Sequence, residues 1–396
     1  MVILVMKIFK KFKELINFLY VFSIVNDNFI VNIFGDTSLK FIFIFFLIVN
    51  IQALFSFNLK NNSNKPFLLL MVMMFISYMV NVGNYVDLQQ PILSIFSIFF
   101  IYIVSSSIRT PQNFIQYYLV SVLFSALLCV TTDVTINEFT FRKTGGTSDP
   151  NEFSVMILTS IGFWVTSMVT TKSITKRIMN VVSLFVCLLA ILMAGSKSGL
   201  VTLFLIFFIY FCSLFKKYPI KKTFKYTSLF VCCLLILGVI FFNHYSDTLI
   251  NILGRFDDHS TAGQRFLSWN AGIDIWMNNP LLGVGPQNYV HMISEHFPYI
   301  EEGSRAAHNL FIQAMVEVGV LGFAILIIFL YYPIRKCFSS HLQIEYALGV
   351  FTIIIMGITL SLLFEKYLWL YFGLICNPYI SQISYQKSLM SGNKTI

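Results

Sequence analysis

Apolar runs about 20 residues long recur almost from end to end of the 396-residue chain, near residues 15–34, 40–58, 66–82, 91–107, 112–132, 152–171, 177–195, 197–215, 225–242, 307–332, 345–363 and 366–379. Wound as a helix, a run of that length matches the roughly 30 Å hydrocarbon core of a bilayer. Hydrocarbon offers no partner to a backbone N–H or C=O, so such runs predict helices, whose polar groups are satisfied internally. The expected fold is therefore all-α: a polytopic membrane helical bundle of about 12 transmembrane helices, forming a single integral membrane domain over residues 1–396. The composition agrees, because 57% hydrophobic and 11% charged residues lie outside the range of a soluble domain.

The charge of the chain, +9, is distributed by side. With the N-terminus in the cytoplasm and the connections alternating, 19 of the 27 basic residues collect on the cytoplasmic side, together with both termini. That distribution explains the basic charge without a nucleic-acid partner. Six of the remaining basic residues lie between residues 142 and 305, on the side where the orientation rule disfavours them, which makes them the first candidates for chemistry. The long connection, residues 243–306, falls on that extracytoplasmic side, and five of the six histidines lie in it or at its edge. The seven cysteines sit in or beside apolar runs with no metal-ligand spacing and read as packing residues. No internal repeat is visible, in contrast to many secondary transporters.

Three segments gather polar groups at the starts of inward-running helices. In "AGSKSGL" (residues 194–200), Ser196 is placed to cap a helix whose first turn carries Lys197, so that free N–H groups, the positive end of the helix dipole and an ammonium converge. In "FRKTGGTSDPNEF" (residues 141–153), Asp149 is a cap, Pro150 suits the first helical position, and Arg142 and Lys143 precede two glycines. In "GSRAAHNLFIQAMVEVG" (residues 303–319), His308 is expected within the first turns of a helix. Asn309, Gln313 and Glu317 then form a polar stripe that must face a partner or a wet cavity. Between them, "GQRFLSWNAGIDIWMNNPLLGVGPQNYV" (residues 263–290) predicts an interfacial helix with an apolar stripe of Phe266, Trp269, Ile273 and Trp276. Asn279-Pro280 stops that helix, and turns follow at Gly283 and Gly285. Arg142, Lys197, Arg255, Arg265 and Arg305 with His308 thus define an expected anion site. No Walker loop and no convincing metal-ligand set accompanies it, so neither a cofactor nor a metal is expected, and a lipid-linked diphosphate fits the depth and the arginines best.

These same stretches resemble the O-antigen ligase and polymerase superfamily. "AGSKSGL" is similar to its Ser-Arg-Ser-Gly motif, and residues 262–289 to its Gly-Arg-x3-Trp … Asn-Pro-x-x-Gly-x-Gly-Pro-x-Asn segment. "AAHNLFIQAMVEVGVLG" is similar to its His-Asn-x3-Gln-x3-Glu-x-Gly segment, and "GGTSDPNEF" to its Asp-Pro-Asn loop. The resemblance implies a GT-C-like fold and metal-independent glycan transfer from an undecaprenyl-diphosphate carrier to a sugar hydroxyl, outside the cytoplasmic (inner) membrane of a bacterium. Carried over by position, Arg265 binds the diphosphate and His308 is the general base. Lys197 stands where the family has a diphosphate-contacting arginine, a departure that keeps the charge and loses the bidentate fork. Arg142, Arg255, Arg305, Asn309, Glu317 and Trp269 are expected around the substrate.

Two readings of the activity stay open within the family. One is a polymerase of capsule, O-antigen or exopolysaccharide repeat units; the other is a ligase passing finished glycan to lipid A core or to protein. A flippase for the same lipid-linked oligosaccharide is a third reading, disfavoured by the clustered cations and the missing repeat. The expected partners are the undecaprenyl-diphosphate-linked oligosaccharide, membrane lipids and, for a polymerase, a chain-length regulator protein.

Overall fold

The computed structural model describes residues 2–132, 136–137, 142–217, 260–338 and 342–380. It is almost wholly helical, as expected, apart from a two-residue antiparallel ladder pairing Ile136 with Lys143 and Asn137 with Arg142. Among the described residues six helices are long and apolar enough to cross a membrane: Gln89–Ser107, Pro111–Thr131, Pro150–Thr170, Ile174–Ala194, Lys197–Leu214 and Leu310–Cys337. Each coincides with one of the apolar runs. The expected twelve is not reached among the described residues. Asn64–Val80, Ile344–Gly357 and Lys366–Cys376 are apolar but shorter, and the run at 225–242 lies outside the described residues. At the N-terminus the expected span bends by 103° between Met6–Val25 and Asp27–Phe34. The bend falls on Asn26, whose Nδ2 donates to Phe22 O (3.3 Å) and to Ser121 O (3.2 Å), so a polar side chain supports the break.

The chain forms two compact units. The first comprises Met1–Ile51, Thr110–Asp257 and Gln343–Ile353. In it Pro150–Thr170 packs against Ile174–Ala194 and Lys197–Lys217, and Pro111–Thr131 packs on Ile174–Ala194 and Val2–Val25. Asp149 caps Pro150–Thr170, its carboxylate accepting from Asn151 N (2.6 Å) and Glu152 N (3.1 Å), with Pro150 in the first turn. Gly195, with φ +57°, ends Ile174–Ala194 in the left-handed conformation, and the next helix begins two residues later. Buried Tyr118 Oη lies 2.7 Å from Thr159 Oγ1, a polar link between two of these helices.

The second unit comprises Gln52–Arg109, Asp258–Leu342 and Ile354–Ile396. Leu310–Cys337 is its centre, packed on Asn64–Val80 and on Ser260–Asn278, while Lys366–Cys376 lies along Gln89–Ser107. Phe67 stacks on Tyr102 at 3.7 Å, and Phe329 and Trp369 close around that pair. The central helix is broken at Gly319 (φ +72°, ψ −178°), a conformation open essentially to glycine alone. The segment after Pro280 fills the break. Val284 N donates to Val316 O and Gly285 N to Glu317 O, both at 2.9 Å, while Val320 N donates to Pro280 O (2.9 Å) and Leu321 N to Leu281 O (3.4 Å). Ser77 Oγ reaches the carbonyls of Leu282 (2.6 Å) and Glu317 (2.9 Å), and Asn81 Nδ2 reaches Gly283 O (3.1 Å). The Asn-Pro-x-x-Gly-x-Gly-Pro run is thus a backbone dock for a broken helix.

Candidate active site

In the first unit the polar groups centre on Asn151. Its Oδ1 accepts from Arg142 Nη2 and from Ser196 Oγ, each at 2.9 Å, and Arg142 Nε donates to Ala194 O at 2.7 Å. Ser196 Oγ in turn accepts from Gly199 N (3.2 Å), which is the expected cap of the Lys197–Lys217 helix. Arg142 is therefore buried, 8% exposed, and its guanidinium is committed to tying the Asp149-Pro150-Asn151 turn to the end of the preceding helix. Lys197 is half-buried in the first turn beyond the cap. Lys143 Nζ bonds Thr132 O at 3.1 Å. Asn151 is given no role of its own by the sequence; its signal there is its place in the stretch similar to the Asp-Pro-Asn loop.

In the second unit, Ser260–Asn278 ends ahead of Asn279-Pro280 as expected, but the face it buries differs from the expected stripe. Ser268, Ala271, Gly272 and Ile275 pack inward, while Phe266 is 60% exposed and Trp269, Ile273 and Trp276 flank the contact. The reason is proximity: the Tyr289 ring lies so close to Gly272 that a Cβ there would run into it, which requires small residues on the packed face. Tyr289 Oη donates to Ser268 O at 2.7 Å, and burial, first among its influences, pushes that phenol up to about 12. Tyr85, whose Oη donates to Pro286 O (3.0 Å), is pushed up by burial and then by the nearby Glu317 carboxylate.

This helix holds the approach to His308. Trp269 Nε1 donates to Ala307 O at 2.6 Å, and Ser268 Oγ lies 3.3 Å from the carbonyls of both Arg305 and Ala306. Arg265 is half-buried one turn before Trp269, on the same face at i and i+4. Arg305 Nε is turned to Ile300 O (3.0 Å). His308 lies outside the helix, not in its first turns: Asn309 is the cap, accepting from Phe311 N (2.9 Å) and Ile312 N (3.1 Å). His308, half-buried, is held at φ +42°, a left-handed conformation uncommon for a side chain of its size. The polar stripe below it faces protein. Gln313 Oε1 accepts from Leu363 N (3.3 Å), and Glu317, 1% exposed, accepts from Tyr289 N through Oε1 (3.4 Å), while its Oε2 is buried with no hydrogen-bond partner among the described residues. Arg255 lies outside the described residues. No three His, Cys, Asp or Glu side chains gather closely enough to hold a metal ion among the described residues.

Unit by unit, then, the structure joins Arg142 to Ser196 at the threshold of Lys197, and it fastens the Arg265 helix to the backbone beside His308. Residues 182–327 match the O-antigen ligase family. The chain carries an O-antigen ligase domain. Lys197, Arg265, Trp269, Arg305, His308, Asn309 and Glu317 lie within it, and Arg142 precedes it. The chain is similar to the exopolysaccharide production protein ExoQ of Rhizobium meliloti (strain 1021), with 44% identity over 82 residues, 19% of each chain. It is also similar to the ComP-specific O-oligosaccharyltransferase of Acinetobacter baylyi, with 24% identity over 292 residues, 69% of this chain and 51% of the relative. In neither case does the match span two thirds of the curated relative. The domain match and the set of long apolar helices agree on a multi-pass membrane protein.

Proposed function

We propose that the chain transfers glycan from an undecaprenyl-diphosphate carrier to a sugar hydroxyl, polymerising lipid-linked repeat units of a capsule, O-antigen or exopolysaccharide at the extracytoplasmic face of a bacterial cytoplasmic membrane. The observation that carries the reading is the bond from Trp269 Nε1 to Ala307 O, which fastens the helix of Arg265 to the residue before His308 within the O-antigen ligase domain. A cation that can stabilise a departing diphosphate and an imidazole that can take a hydroxyl proton are thereby carried on fastened elements.

Undecaprenyl diphosphate leaves without protonation if its growing charge is stabilised, which suits the bidentate fork of Arg265. The acceptor hydroxyl must lose a proton, and the imidazole of His308 is suited to receive it. Direct displacement inverts the anomeric carbon. Lys197 is assigned to the diphosphate by its place in the Ser-Lys-Ser-Gly motif. If it needs only charge, Lys197→Arg retains activity and Lys197→Ala loses it.

A second reading, transfer of a finished glycan to another acceptor, is favoured by the Acinetobacter relative, whose name describes an O-oligosaccharyltransferase. Arg265→Ala and His308→Ala decide between them, each expected to lower turnover about 10²-fold or more. In cells, accumulation of single lipid-linked repeat units supports polymerisation, and accumulation of long unattached polymer supports ligation. Full activity in both variants defeats both readings.

A further inference from the structure

At the far end of the second unit from His308 lie two adjoining cavities of about 580 and 610 Å³ that share Asn61, Lys336 and Cys376. The 28-residue segment Leu310–Cys337, broken at Gly319, runs between them and the Asn309 cap. Four cations line them: Lys60 and Arg109 in the first, Arg335 in the second and Lys336 in both. No Asp or Glu is among the described residues lining either one. Gln89–Ser107, Leu310–Cys337 and Lys366–Cys376 all end here. Each helix end offers about half a negative charge, too little to offset four full positive ones.

Orientation in a membrane accounts for lysines and arginines in loops. It does not account for a lysine built into the wall of a cavity. Lys336 Nζ donates to Ile375 O (2.9 Å) and Asn377 O (3.4 Å), so its ammonium is held in place in the wall shared by the two cavities. Asn377 Nδ2 pins the same corner by donating to Ser105 O and Ile108 O, both at 2.9 Å. A fixed cation, further cations around it, and polar walls at the end of membrane-length helices together suit a phosphate-bearing anion whose acyl chains lie along the helices. The charge distribution of the sequence predicts that this end faces the cytoplasm, where anionic lipids attract basic pockets between helices. We propose that these cavities bind the headgroup of a phospholipid with net negative charge, at a site separate from the glycan-transfer residues.

The test uses the full chain in nanodiscs of phosphatidylcholine doped with phosphatidylglycerol, with retained lipids counted by native mass spectrometry. Wild type is expected to retain phosphatidylglycerol in preference to phosphatidylcholine. Lys60→Gln with Arg109→Gln, both exposed, should lower that retention about 25-fold, at roughly a factor of five per basic residue. Lys336→Arg should keep it. Lys65→Gln, a neighbouring exposed lysine outside the lining, should leave it unchanged. Absence of preference in wild type overturns the proposal, as does an equal loss in the Lys65 variant. In a second arm, inorganic phosphate is added to nanodiscs of phosphatidylcholine alone. Stabilisation that depends on Lys60 and Arg109 in that arm, without phosphatidylglycerol retention in the first, assigns the site to a soluble phosphate and likewise overturns the lipid.

Discussion

Asn309 illustrates how a residue expected at the substrate acquires a second, measurable role. Its carboxamide caps the helix that follows His308, so Asn309→Ala should cost about 1 kcal/mol of stability, while Asn309→Asp or Asn309→Ser keeps most of it. If the cap is its whole contribution, turnover in the Asp and Ser variants stays close to wild type. A collapse of turnover at unchanged melting temperature in detergent would instead place Asn309 against substrate. Tyr289 is the other informative residue. Its raised phenol contributes stability that is fully present below about pH 10 and is lost as pH climbs through about 12, because the unfolded chain releases the proton first. Tyr289→Phe removes the bond to Ser268 O and should cost about 1 kcal/mol near neutral pH, flattening the alkaline limb of the melting profile.

Among the elements, the Leu310–Cys337 helix shows where sequence reasoning stops. Caps and stops are local, and they are legible: Asp149 before Pro150, Ser196 before Lys197, and Asn279-Pro280 after Asn278 all behave as their residue types demand. The break at Gly319 is not legible, because apolar residues surround it on both sides and a glycine inside an apolar run reads as an ordinary helical position. Only the docking of residues 280–285, over 30 positions earlier in the chain, reveals it. The buried face of Ser260–Asn278 escaped for a related reason. Large apolar residues advertise a stripe, while close packing against the Tyr289 ring selects the small ones. Gly319→Ala tests the break directly. A side chain there would meet the backbone of Leu281 and Leu282 in a disfavoured conformation, with a cost of at least ~1–3 kcal/mol, visible as a lowered melting temperature and loosened protease resistance around residues 280–285.

For the molecule as a whole, the recurring apolar runs, six of which form membrane-length helices among the described residues, identify a multi-pass protein, and the ordered motifs point to the O-antigen ligase domain. Orientation rests on the distribution of basic residues. With cysteines introduced singly at Lys60 and at Glu302 in a cysteine-free background, a membrane-impermeant thiol reagent applied to intact cells should modify position 302 and spare position 60. The reverse pattern would invert the protein and remove the extracytoplasmic reading of Arg265 and His308. The unequal yield of the two clusters has the same origin. Arg142 and Ser196 both donate to Asn151 across turns that bring distant positions together, whereas His308 and Asn309 are neighbours in the chain and are visible at once.

A helix interrupted in apolar surroundings leaves amides and carbonyls that hydrocarbon cannot accommodate. Here the strand-like exchange between residues 280–285 and 316–321 takes up that demand from both sides. Pulling the partners apart would strand four peptide groups on each of them at once. The segment leading from Trp276 to Tyr289 and the upper half of the central helix should therefore behave as a single lever, so that a displacement of either one carries His308 and the Arg265 helix with it.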